Sequence, residues 1–312
     1  MGHANIDRCR GTLIGLAIGD ALGAAIEFKS PGTFLPVMEY RNGGPHGLNA
    51  GEWTDDTSMA LALADSISSI GWDLNDQAER YVQWWKTGQY SVNDTCFDIG
   101  ITTQGSLSEF LKCKDAFSSG DTSESASGNG SIMRLAPVPI GYRDLFPYRL
   151  DELSKLAEES SIPTHASEQC TSACRYLAII LAGLINGEDR ETVLSSDWKP
   201  LSELEQIKPL HPLVKEISAG SFREKQPPTI QGSGWVIKSL EAALWAFYDA
   251  DNFEQAVFKA VNLGDDSDTT GAICGQLAGA YWGESNIPGS LRSGLAKMEM
   301  IESALSGLID SE

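Results

Sequence analysis

The sequence lacks the cysteine pattern that would indicate disulfide bonds, and it lacks an apolar run long enough to span a membrane. Its six cysteines are irregularly spaced and no secretory signal precedes the chain, so we expect reduced thiols in a cytoplasmic protein. The longest apolar run, residues 12–28, is short and contains Asp20. We therefore expect no membrane partner.

Runs of lysine and arginine are also missing, and the formal net charge of the 312-residue chain is −20. Repulsion between this charge and a phosphate backbone argues against a nucleic-acid partner. A cationic substrate is compatible with the charge, although solubility explains an acidic surface equally well. With only four histidines, the sequence indicates no nucleophilic triad.

Alternation of apolar and polar residues, the pattern of a half-buried strand, is nearly absent. Apolar residues instead recur at helical spacing in long segments, among them residues 59–70, 73–88, 173–184, 237–247 and 291–309. This pattern excludes a dinucleotide-binding oxidoreductase, which needs strands. Since no linker divides the chain, the sequence predicts an all-α fold in which residues 1–312 form a single domain.

Two of the predicted helices carry glycine at every fourth position, which places the glycines in a stripe down one side. Each glycine inside a helix costs roughly 1 kcal/mol relative to alanine, so a stripe needs a compensating reason. Close approach of another helix would supply that reason, and we expect both helices to lie in the interior near each other. The glycines are Gly11, Gly15, Gly19 and Gly23 in the first helix, and Gly271, Gly275 and Gly279 in the second.

Two clusters of acidic and hydroxyl side chains stand at predicted helix starts, in residues 54–58 and 265–270. A single cluster of this kind is typical of a helix cap, because Asp, Ser and Thr accept hydrogen bonds from the first turn. Two clusters offer more oxygen atoms than caps require, and such atoms favour Mg²⁺, Mn²⁺ or Ca²⁺ over zinc. An EF-hand loop is excluded, since Leu277 would stand where a bidentate Glu is required.

A glycine-rich loop at residues 128–134 allows two interpretations. Glycines let a backbone approach a ligand, and exposed N–H groups could bind phosphate oxygens. A tight turn explains the same residues equally well. If the two acidic clusters converge, they could hold two cations that assist hydrolysis of a glycosidic or a phosphoryl bond.

Five motifs, taken in order along nearly the whole chain, resemble those of the ADP-ribosylglycohydrolase family. They are Gly19-Asp-Ala-Leu-Gly23 with Glu27, Trp53-Thr-Asp-Asp-Thr57, the loop at 128–134, Thr164-His165 and the acidic segment 264–271. The resemblance implies an all-α fold with two Mg²⁺ ions, replaceable by Mn²⁺, in a cleft. It implies metal ligands at Thr54, Asp55, Asp56, Asp266, Asp268 and Thr269. Asp265 stands where the family often has glycine, which leaves open which of the three neighbouring carboxylates bind.

The resemblance also implies roles for the remaining candidate residues. Catalytic roles fall to Glu27, Asp55 and Asp56, whose carboxylates would activate water for attack on C1″ of the distal ribose. Contacts to the diphosphate and ribose of ADP-ribose fall to Gly128, Asn129, Gly130, Ser131 and His165, with Trp235 stacking near the ligand.

The activity implied is removal of ADP-ribose from a protein side chain, with arginine as the expected acceptor. A mono-ADP-ribosylated protein would be the partner and ADP-ribose the product. Serine as the acceptor, or free O-acetyl-ADP-ribose as the substrate, remains an alternative. A non-catalytic, crystallin-like or ADP-ribose-binding protein is a further alternative, although every ligand position keeps an oxygen atom.

Overall fold

The helical periodicity of the sequence is realised in the computed structural model of the protein, which describes residues 3–310. Residues 1, 2, 311 and 312 of the predicted domain lie outside this range. The α-helices of the described range, numbered in chain order, are α1 (His3–Gly23), α2 (Asp55–Ile70), α3 (Leu74–Thr87), α4 (Ile101–Cys113), α5 (Ala116–Ser119), α6 (Pro137–Gly141), α7 (Leu150–Ser161), α8 (Glu168–Ile185), α9 (Arg190–Val193), α10 (Lys199–Ile207), α11 (Pro212–Ser218), α12 (Ser221–Glu224), α13 (Val236–Tyr248), α14 (Phe253–Val261), α15 (Ser267–Trp282), α16 (Gly289–Gly294) and α17 (Met298–Asp310).

Strands are absent from residues 3–310, where only three isolated β-bridges occur, so the predicted all-α fold is confirmed. None of the helices in this range is long and apolar enough to cross a membrane. The six cysteines are all unpaired thiols, in agreement with the absence of a disulfide pattern.

The C-terminal helix predicted over residues 291–309 is divided into α16 and α17. The break lies at residues 295–297, where the Ala296 N–H donates to the carbonyl of Gly51 at 2.9 Å. Lys297 has a φ of 46°, which a continuing right-handed helix does not allow. Apolar spacing continues through the break, and for this reason the periodicity did not reveal it.

The predicted contact between the two glycine stripes is confirmed. Helices α1 and α15 run antiparallel through the interior, and their glycines meet in pairs: Gly11 with Gly279, Gly15 with Gly275 and Gly19 with Gly271. A Cβ atom on Gly15 would lie 2.2 Å from the Gly275 carbonyl oxygen, and one on Gly19 would lie 2.0 Å from the Gly271 carbonyl oxygen. The two backbones are therefore in direct contact, with no room for a side chain between them.

This contact sets the end of α1 beside the start of α15. A Cβ on Gly23 would lie 2.3 Å from the backbone nitrogen of Asp268, and the Ser267 hydroxyl donates to the Gly23 carbonyl at 2.9 Å. The two sequence motifs that contain these residues lie at opposite ends of the chain. Helix packing brings them to one place.

Gly15→Ala tests the backbone contact. The added methyl group would collide with α15, and we expect the free energy of unfolding to fall by about 1–3 kcal/mol or more. Gly105→Ala in α4 is the matched control, because no atom lies within 4 Å of its added Cβ. That variant should gain up to ~1 kcal/mol through helix propensity. Equal urea midpoints for the two variants would contradict the account.

Candidate metal centre and substrate cleft

The carboxylate of Asp20 joins the end of α1 to the start of α2. One oxygen accepts hydrogen bonds from the N–H and hydroxyl of Thr54 at 2.8 and 2.9 Å, and the other accepts from those of Thr57 at 3.0 and 2.6 Å. Asp20 is fully buried in the last turn of α1, within an otherwise apolar stretch of the helix. It therefore caps α2 from a different helix, and the acidic residues of α2 are not needed as caps.

The helix-cap interpretation of the two clusters is wrong. Thr54 and Asp266 occupy the N-cap positions of α2 and α15, and neither side chain accepts a capping hydrogen bond from the backbone of its own helix. Asp266 instead accepts a hydrogen bond from the Asn129 side-chain amide at 2.7 Å. The acidic side chains at these helix starts turn away from the backbone that they would cap.

The two clusters converge on one point. The Thr54 hydroxyl oxygen lies 3.1 Å from Asp56 Oδ2 and 3.4 Å from Asp268 Oδ2. Asp20, Asp56 and Asp268 each place a carboxylate oxygen within 4.8 Å of the others. The oxygens of Asp20 are occupied by α2, whereas Asp56 Oδ1 and Asp268 Oδ1 are buried without a hydrogen-bond partner. Asp56 and Asp268 are therefore the members of this group with a free oxygen for a cation.

Burial and mutual repulsion act on these acids together. Burial, followed by the charges of neighbouring carboxylates, raises the pKa of Asp55, Asp56 and Asp268 well above the usual range. Burial also raises the pKa of Asp20 to about 6, although its hydrogen bonds with Thr54 and Thr57 oppose the change. Negative charge concentrated in this way, in a poorly hydrated place, calls for a positive partner.

The residues present fit a hard divalent cation. Within residues 3–310, no lysine or arginine lies within ion-pair distance of any acid in this group. The donors are carboxylate and hydroxyl oxygens, which suit Mg²⁺ or Mn²⁺. The unpartnered oxygens of Asp56 and Asp268 are the observation that carries this assignment.

A cleft of about 280 Å³ opens over the cluster. Most of the predicted site residues line it, namely Glu27, Asp55, Gly128, Asn129, Gly130, His165, Asp266, Asp268 and Thr269. Thr54 and Asp56 lie fully buried beneath it. Asp265 is not among the lining residues; its backbone pairs with Phe28 and Lys29.

Ser131 and Trp235 do not line the cleft. The Ser131 hydroxyl is buried and lies 3.5 Å from the Cys174 sulfur. Trp235 is 37% exposed, and its indole N–H donates to Gln169 at 2.7 Å. Trp235 also forms a β-bridge with Gly128. Its contact with the loop is thus through the backbone, and the expected stacking on a ligand stays a prediction.

The glycine-rich loop is held in place by a buried arginine and a neutral histidine. Arg134 donates to the Gly130 carbonyl at 3.0 Å and to the Thr164 hydroxyl at 2.7 Å, and His165 Nδ1 lies 2.9 Å from the same hydroxyl. Burial, then the charge of Arg134, lowers the pKa of His165 to about 3, so the imidazole is uncharged. A Cβ on Gly130 would lie 2.7 Å from His165 Cε1, and glycine is therefore required for the ring to fit.

Comparison with known proteins identifies this arrangement. The family model for ADP-ribosylglycohydrolase matches residues 1–312. The chain belongs to the ADP-ribosylglycohydrolase family. It is 42% identical to the ADP-ribosylarginine hydrolase Tri1 of Serratia proteamaculans, over 95% of this chain and 77% of that protein. It is 40% identical to the Tri1 of Pseudomonas putida, over 98% of this chain and 78% of that protein.

A solved structure of an ADP-ribosylglycohydrolase-related protein complex has the same fold. Its TM-score is 0.85 at 37% identity, and the match covers 99% of both chains. The predicted family is therefore confirmed, and the protein is a glycohydrolase that acts on ADP-ribose linkages.

Three residues of this glycohydrolase site escaped the sequence reasoning. The signal for Asp20 was present, since an acid inside an apolar helix needs a buried partner. Asp98 and His46 lie in irregular loops, where no periodicity points to the cleft. Asp98 lines the cleft, and burial, then the charges of Asp266 and Asp20, raises its pKa to about 7.

The raised pKa values predict how stability depends on pH without metal. These carboxyls have pKa values of about 4 in an unfolded chain. In the folded protein the pKa values are about 6 for Asp20, about 7 for Asp98 and about 9 for Glu27, where burial is the largest cause. The folded state thus binds more protons than the unfolded state across this window, and the free energy of unfolding falls as pH rises.

We expect the melting temperature in EDTA to drop steadily between about pH 5 and 9, and saturating Mg²⁺ to reduce the drop, because a cation stabilises the ionised carboxylates. Scanning calorimetry at several pH values, with and without Mg²⁺, measures both effects. A melting temperature that rises over this window in EDTA would show that the acids are not held as described.

Proposed function

We propose that the enzyme uses Mg²⁺ to hydrolyse the N-glycosidic bond between ADP-ribose and an arginine side chain, reversing mono-ADP-ribosylation. The observation that carries the proposal is the combination of two chemically different sets of residues in the lining of one cleft. One set consists of carboxylates and hydroxyls, and the other of a glycine-rich backbone, a neutral imidazole and a helix start.

We assign metal binding to the carboxylate and hydroxyl residues of the cleft. Thr54, Asp55, Asp56, Asp266, Asp268 and Thr269 would hold two Mg²⁺ ions, and Mn²⁺ could replace them. These ions would supply positive charge that fixes the hydroxyl groups of the distal ribose and stabilises the transition state. The Asn129 amide donates a hydrogen bond to Asp266, so the glycine-rich loop is directly linked to a proposed metal ligand.

We assign diphosphate binding to the start of α4 and the glycine-rich loop. Helix α4 starts at Ile101, its N-cap residue Gly100 provides no side-chain cap, and the first residues of the helix line the cleft. Uncapped N–H groups at a helix start attract anions, and so do the N–H groups of a glycine-rich loop. Behind the loop, Arg134 adds a buried positive charge where it binds the Gly130 carbonyl.

We assign binding of the leaving group to Glu27 and Asp98. No lysine or arginine of residues 3–310 lines the cleft, and these two carboxylates line it together with most of the proposed metal ligands. A guanidinium group would be held there by charge, whereas a serine hydroxyl offers no charge to recognise. Glu27 would accept one proton of the attacking water as the water oxygen bonds to C1″, and it would pass that proton to the arginine nitrogen as the bond between C1″ and nitrogen breaks. The names of the two Tri1 relatives support arginine as the acceptor.

The test compares arginine-linked and serine-linked ADP-ribosylated proteins and free O-acetyl-ADP-ribose, each with Mg²⁺ and with EDTA. We expect release from arginine in Mg²⁺ and none in EDTA. Faster release from serine or from O-acetyl-ADP-ribose would move the enzyme to that substrate. No release from any of them would favour the non-catalytic, ADP-ribose-binding alternative.

Two neighbouring aspartates provide a matched pair of variants. Asp268→Asn should lower kcat by on the order of a hundredfold or more while the fold is kept, because it removes a carboxylate with a free, buried oxygen. Asp265→Asn should keep near-normal activity, because Asp265 does not line the cleft and Asn tolerates its φ of 51°. Equal losses in the two variants would contradict the ligand assignment.

A further inference from the structure

We propose that Glu27, His46 and Asp98 form a separate site for a transition-metal cation such as Zn²⁺, at the edge of the cleft. One ligand atom from each residue lies within 4.8 Å of the other two. None of the three belongs to the group formed by Asp20, Asp56 and Asp268. The two groups therefore share no ligand.

The distances fit the ligands of a metal ion as well as they fit an ion pair. His46 Nε2 lies 3.4 Å from Glu27 Oε2 and 3.2 Å from Asp98 Oδ1. Ligands held about 2.1 Å from a tetrahedral zinc lie about 3.4 Å apart. In that arrangement the lone pair of His46 Nε2 points at the ion, and each carboxylate oxygen lies to one side of that direction.

The absence of hydrogen bonds supports the same geometry. His46 Nε2 and Glu27 Oε2 are buried, and neither has a hydrogen-bond partner among the described residues, despite their short separation. A protonated imidazole would instead point its N–H at one carboxylate. The Glu27 side chain is only 3% exposed, and its Oε2 accepts no hydrogen bond from the described residues.

Local structure holds His46 in place without an ion. His46 lies in a turn closed by reciprocal backbone hydrogen bonds between Gly43 and Leu48, at 2.8 and 2.9 Å. The His46 ring contacts the Phe97 ring, with 5.2 Å between centroids. Asp98 has a φ of 60°, in the left-handed region that few residues other than glycine, asparagine and aspartate adopt.

The donor set separates this site from the neighbouring one. One imidazole nitrogen with two carboxylates suits Zn²⁺, whereas an all-oxygen group suits Mg²⁺. Solvent reaches the site, because the side chains of His46 and Asp98 are 21% and 15% exposed. Three protein ligands also leave a fourth position for water.

A cation here would have a kinetic consequence, and that consequence rests on the proposed function. It would withdraw Glu27 and Asp98 from the substrate, so Zn²⁺ should inhibit the Mg²⁺-loaded enzyme. Binding itself does not depend on that function and can be measured directly.

The direct test is a Co²⁺ titration of the full chain in excess Mg²⁺, followed by visible absorption. We expect the intense band of four-coordinate Co²⁺, displaced by stoichiometric Zn²⁺. His46→Ala and Asp98→Asn should lose the band and His211→Ala should keep it, with circular dichroism confirming that each variant is folded. No intense band in the wild type, or an unchanged band in folded His46→Ala, would overturn the proposal.

A second measurement follows the hydrolase rate with increasing Zn²⁺. His46→Ala should need at least about tenfold more Zn²⁺ than the wild type for half-inhibition, relative to its own uninhibited rate. Equal sensitivity would place the inhibitory zinc elsewhere. A protein without hydrolase activity would still give the Co²⁺ band, so failure of the proposed function and failure of the metal site are distinguishable.

Discussion

The direct contact between the backbones of α1 and α15 is the constraint on which the rest of the site depends. Glycine is needed on both helices, since a single Cβ at Gly15 would reach within 2.2 Å of the opposite carbonyl. Such proximity brings Asp20 and Asp268, which are far apart in the chain, to the same end of the pair. Asp20 then fixes the start of α2 through Thr54 and Thr57, and the third segment of the site is in place.

This architecture concentrates negative charge where water is scarce. Each carboxylate of the group formed by Asp20, Asp56 and Asp268 could be neutralised by a proton, by a basic side chain or by a metal cation. No basic side chain is near in the described part of the chain, and protonation would leave the oxygens of Asp56 and Asp268 without function. A cation satisfies both the packing and the chemistry, and for this reason stability and activity should depend on the same ion.

The sequence allowed part of this site to be predicted. Glycine spacing predicted the contact of α1 with α15, because a stripe of glycines weakens a helix unless a neighbouring backbone packs closely against it. The acidic clusters identified the helix starts that meet, and the ordered motifs identified the family. Asp98 and His46 could not be found, since a loop residue reaches a site through backbone geometry that no local pattern encodes. Ser131 shows the converse, because a residue within a recognised motif can turn away from the cleft.

The central claim, that this cluster of acids is a cation site, is tested most directly by a crystal structure of the protein loaded with Mn²⁺. Anomalous scattering locates that ion independently of any assumption about the ligands. The account predicts a peak about 2.2 Å from the free oxygens of Asp56 and Asp268, with Asp20 still bonded to Thr54 and Thr57. A structure with no peak there, or with those oxygens paired to a protein cation, would contradict it.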